Sequence, residues 1–84
     1  MMEFGGRKFE SVRGSDVERD GMYIEVSEKI GNQQRVMLEV FYSDEDNRMT
    51  FTAFEKDLPF ELIEQVAQTA RERLTPVTTM GATR

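Results

Sequence analysis

Apolar and polar residues alternate with a period of two in three successive stretches of this chain. In MYIEVSEK (22–29), Met22, Ile24 and Val26 fall on one side, and Tyr23, Glu25 and Ser27 on the other. In RVMLEVFYS (35–43), Val36, Leu38, Val40 and Tyr42 oppose Met37, Glu39 and Phe41. In RMTFTAFEK (48–56), Met49, Phe51 and Ala53 oppose Thr50, Thr52 and Phe54. Each stretch is predicted to be a strand. Gly31-Asn32 and the acidic loop Asp44 to Asn47 are short, turn-rich links, so the strands should pair as antiparallel hairpins.

A register follows from matching the faces. Pairing Ser43 with Arg48 puts Tyr42 opposite Met49, Val40 opposite Phe51 and Leu38 opposite Ala53. The other face then sets Met37 against Phe54 and Glu39 against Thr52. Pairing Met22 with Tyr42 extends the match to the first strand. Every residue keeps its own face, as a period of two demands. The inner surface would comprise Met22, Ile24, Val26, Val36, Leu38, Val40, Tyr42, Met49, Phe51 and Ala53.

LPFELIEQVAQTARERL (58–74) carries the helical period, with Leu62, Ile63, Val66, Ala70 and Leu74 on one face. Pro59 suits the first turn and Asp57 is placed to cap it. Glu61 and Glu64 near the start, and Arg71 and Arg73 near the end, complement the helix dipole. Pro76 stops the helix. The apolar face must be buried, and the inner surface of the sheet is the material available to bury it.

Residues 1–21 are the least regular. RKFESVR (7–13) reads as a charged edge strand, with Gly5-Gly6 and Gly14-Ser15-Asp16 as turns or loops and Asp20-Gly21 closing a hairpin. The expected fold is α+β: an antiparallel meander of three to four strands with one C-terminal helix across one face. A single domain over residues 1–76 follows, and the tail 77–84 has little to bury and is expected to be flexible.

Composition narrows the chemistry. The 84 residues include no cysteine, so neither a disulfide framework nor a thiolate metal site can form. Histidine is also absent, which removes the usual general base near neutral pH and the commonest metal ligand. A net charge of −5 argues against nucleic acid and anionic membranes as partners. With no apolar run near the ~20 residues of a membrane span and no secretory h-region, the expected location is the cytoplasm. No cofactor or metal is expected.

One helix covers one face of a sheet, so the other face needs its own explanation. It carries Tyr23, Met37, Phe41 and Phe54, framed by Glu25, Glu39 and Thr52. An apolar patch of this kind marks an interaction site, and the commonest form is a symmetric pair of identical chains. A non-catalytic protein-binding module, homodimeric through this face, is therefore the leading expectation. An acidic inhibitor-type or chaperone-type binder of a basic protein is the first alternative. The plainer readings are that Phe4, Phe9 and Val12 fold back over the face, or that the aromatics simply stabilise neighbouring strands.

Enzymatic candidates are few. Glu25 and Glu39 should face each other, and paired carboxylates can split their pKa values into an acid and a base. With Tyr23 they would serve a small enzyme or a ligand-binding domain, provided that a pocket encloses them. Exposed carboxylates more commonly splay into water. The acidic loop 44–47 lacks the ligand spacing of a calcium loop, and no glycine lies in a phosphate-binding pattern.

Overall fold

The computed structural model describes residues 1–75, and the tail read above as flexible lies outside them. Among the described residues the elements run β1 (Met2–Phe4), β2 (Arg7–Asp16), β3 (Gly21–Ile30), β4 (Gln33–Ser43), β5 (Met49–Ala53) and α1 (Phe60–Arg73). The strands form one antiparallel meander in sequence order, curled around the helix, so the fold is α+β. Five strands stand where three to four were expected. The addition is β1, whose three residues are too few to show a period. It pairs with the start of β2, Met2 opposite Phe9 and Phe4 opposite Arg7.

The register of the central strands follows the alternation: Met22 pairs with Tyr42, Val40 with Phe51 and Leu38 with Ala53. One irregularity alters it. Val26 pairs with Leu38 but Ser27 pairs with Val36, leaving Met37 as an extra residue in β4. This β-bulge reverses the alternation beyond it. Val36, expected inside, shares Ser27's side of the sheet and is half-buried. Met37, expected on the open face, is 2% exposed within the core.

The core sits between α1 and the inner faces of β2, β3 and β4. Phe9, Val26, Leu38, Leu62 and Ala70 are completely buried, with Ile24, Val40, Tyr42, Val66 and Leu74 around them. Met2 and Phe4 pack against this cluster from β1. Phe4 and Phe9 therefore lie on the helix side; of the three residues expected over the open face only Val12, opposite Glu25, is on it, and it is 56% exposed.

The helix begins later than its pattern suggested. Pro59 is its N-cap residue, extended at ψ 134, with no side-chain cap. Proline disfavours the helical region for the residue before it, so Leu58 cannot extend the helix backwards. Asp57 is too far away to cap. Its backbone instead turns at φ 59, and its carbonyl accepts a 3.0 Å hydrogen bond from Arg7.

Arg7 also grips Glu28, the one buried charged residue among those described, through two hydrogen bonds of 2.8 and 2.9 Å. Its guanidinium lies 5.4 Å from the centre of the Phe9 ring. Hydrogen bonding to Arg7 holds the Glu28 carboxyl below its ordinary value, against the opposing effect of burial. A depressed carboxyl stabilises the fold above its unfolded value, ~4.3, and loses that contribution as pH falls through the folded value. Arg7→Ala should cost about 2 kcal/mol at pH 7 by leaving Glu28 without its partner. Urea melts at pH 7 and pH 3 should show a smaller acid loss in the variant than in the wild type.

Candidate functional site

Two surfaces carry side chains that the core does not consume: the outer face of the sheet, and the side of the molecule bounded by β5. On the outer face, Tyr23 lies opposite Phe41 and Glu25 opposite Glu39. Both aromatics rest on glycines of neighbouring strands. A Cβ at Gly14 would come within 2.8 Å of the Tyr23 hydroxyl oxygen, and one at Gly21 within 2.6 Å of Phe41 Cζ. Each ring thus fills the space that a neighbouring side chain would occupy.

Arg19 covers the Phe41 and Glu39 part of this face, while Val12, opposite Glu25, stays 56% exposed. It sits in the turn between β2 and β3, where the Asp16 carboxylate accepts hydrogen bonds from the backbone N–H groups of Glu18 and Arg19. The Arg19 side chain donates to Asp16 at 2.6 Å and in two-pronged fashion to Glu39 at 3.1 and 2.8 Å. Its guanidinium carbon lies 4.1 Å from the centre of the Phe41 ring. These hydrogen bonds raise the Arg19 pKa, those to Glu39 most, and Arg19 holds the Asp16 carboxyl below its ordinary value.

The consequence for chemistry is direct. A carboxylate pair divides its pKa values when two like charges share a site. Here a fixed cation grips Glu39, and the aromatic beside it lies under the same cation. Glu25 forms no ion pair among the described residues. Nor do Glu25, Glu39 and Tyr23 line any of the described cavities. Arg19 was invisible to the alternation because it lies in a charged turn with no period.

The β5 side is different. A helix is ~10 Å across, whereas five strands at ~4.8 Å spacing span about 19 Å. One helix therefore leaves part of the inner face uncovered. Gln65, Val66 and Thr69 of α1 border Met2, Ser11 and Ile24 towards β1. Towards β5 an open, mainly apolar groove of about 450 Å³ remains, between Met49 and Phe51 on one wall and Ile63, Ala67 and Arg71 on the other. Tyr42 lies in it, its hydroxyl donating to Asn47 at 2.9 Å. Phe51 and Ala53, expected under the helix, are exposed, Phe51 by 52%.

Thr52 and Phe54, two members of the expected interface, belong to this side, and Phe54 is 54% exposed. The outer edge of β5 has no strand beside it among the described residues. Five uncharged residues, MTFTA, form that strand. Edge strands ordinarily carry charges, proline or bulges that deter pairing with another chain. β2, whose residues beyond β1 also border solvent, carries Glu10, Arg13 and Asp16.

No cluster of three or more acidic, histidine or cysteine residues able to hold a metal occurs among the described residues, and no described helix is long and apolar enough to cross a membrane. Comparisons with protein-family models, with curated proteins and with solved structures gave no match, so function rests on this geometry.

Proposed function

We propose that this protein is a non-catalytic protein–protein interaction module that binds through β5 and the groove beside it. The supporting observation is the uncharged edge of β5, which has no strand beside it among the described residues and is flanked by half-exposed Phe51 and Phe54 and an open apolar groove. An extended partner segment can add to such an edge, gaining affinity from main-chain hydrogen bonds and specificity from side-chain pockets. The rest of the outer face is a weaker candidate, because Gly14, Gly21 and Arg19 already accommodate Tyr23 and Phe41.

Phe51→Glu combined with Phe54→Glu should preserve the fold, since neither ring belongs to the buried core. Affinity capture with wild-type and double-variant chains of matched circular dichroism and melting temperature tests the reading. Chains retained by the wild type, including free copies of the protein itself, should be lost from the variant. Equal retention would sink the assignment to β5.

Binding of a basic partner is a second reading, favoured by exposed Asp44, Glu45 and Asp46 beside the Asn47 end of the groove. Association of that kind weakens steeply with added salt, whereas strand addition persists.

A further inference from the structure

We infer that the occupant of the β5 edge is a second copy of this chain, paired antiparallel about a two-fold axis at Phe51, so that two five-stranded sheets become one. This inference rests on the binding surface proposed above and names its partner.

The first support is the direction of the backbone groups. Ser43 N–H donates to the Arg48 carbonyl at 2.9 Å, and Phe54 N–H donates to the Met37 carbonyl at 2.8 Å. Between them Thr50 and Thr52 pair with Phe41 and Glu39. The alternation of an antiparallel ladder then turns the N–H and C=O groups of Met49, Phe51 and Ala53 towards the free edge. These three residues are symmetric about Phe51. A second copy aligned there would set Phe51 against Phe51 and Met49 against Ala53, with about six new main-chain hydrogen bonds.

The second support is side-chain matching. That register places Thr50 opposite Thr52 of the other copy, a favourable cross-strand pair, on the outer face. A two-fold axis perpendicular to the sheet keeps both helices on one side, and the two Phe51 rings meet between the two grooves. The Phe51-centred alignment brings Arg48 to Phe54, Asp46 towards Lys56 and Glu45 towards Asp57 of the other copy; the paired strand itself, MTFTA, is uncharged, so no like charges meet within the ladder.

The chain's lack of cysteine gives a clean test of the register. Thr50 and Thr52 would form a non-hydrogen-bonded pair with Cα atoms ~4.5 Å apart, within disulfide range. Two like positions would be diagonal neighbours, too far apart to bridge. Thr50→Cys and Thr52→Cys chains would be prepared separately, then oxidised alone and as an equal mixture, with light scattering on the wild type over a concentration series. The expected result is a wild-type dimer of about 19 kDa, twice the 9.7 kDa chain, and a crosslinked species in the mixture alone. A dimer without the mixed crosslink overturns the inference, since another surface would hold the copies together. A monomer at every concentration overturns it as well. In that event, partners lost on Phe51→Glu/Phe54→Glu substitution would leave the β5 binding surface standing with a different occupant. Equal capture by both chains would remove the surface too.

Discussion

Leu38→Asp should leave no folded population at 25 °C. Leu38 is completely buried at the centre of β4, between Val26 on β3 and Ala53 on β5. Emptying such a site costs about 2–5 kcal/mol on its own, and an unpaired carboxylate adds its desolvation. A chain of this length has only about 4–13 kcal/mol in total. Val66→Asp should act alike, because Val66 is 4% exposed on the helix stripe facing the sheet. The measurement is urea unfolding followed by circular dichroism. A cooperative transition near the wild-type midpoint for either variant would place the core elsewhere.

The second large effect is expected at a glycine. Gly21→Ala should lower stability by about 3 kcal/mol through overpacking, or roughly 10–20 °C in melting temperature for a domain of this size. Its new Cβ would collide with the Tyr42 backbone carbonyl oxygen and press on the Phe41 ring. The carbonyl cannot retreat without disturbing the central hairpin. Gly14→Ala meets only the end of the Tyr23 ring, 2.8 Å from its hydroxyl oxygen, and that side chain can swing aside. Its cost should stay below about 1 kcal/mol. Comparable melting temperatures for the two variants would show that the Phe41 ring and the Tyr42 carbonyl are free to move.

The contrast between these glycines explains much of what the alternation could and could not convey. A period of two located β3, β4 and β5 and their register, because a buried face forces each side chain to one side. It set Tyr23 beside Phe41 and Glu25 opposite Glu39, where the structure also has them. What it lacked was any signal for accommodation within the chain. Gly14 and Gly21 looked like turn residues, yet they lie in strands as seats for aromatic rings. Arg19 looked like one charge among several. The open face was legible as a set of residues, but its covering was not.

Two further departures have simple physical origins. Val36 and Met37 exchanged faces because one inserted residue inverts the alternation without altering local composition. Phe51 emerged from under the helix because amphipathicity fixes which stripe of a helix is buried, but not where across the sheet the helix lies. β5 thereby became the side with unmet apolar surface, through the width of one helix rather than through any motif.

The extra residue at Met37 also fixes the alignment of the central hairpin. Beyond the bulge the two halves of β4 have opposite parity with respect to β3. A slip by one residue would turn Leu38, Val40 and Tyr42 towards water. A slip by two would restore their facing but carry the bulge, and with it Met37, away from its buried place in the core. The irregular residue thus works as a keyway: of these registers, only the native one keeps both halves of β4 facing the core at once.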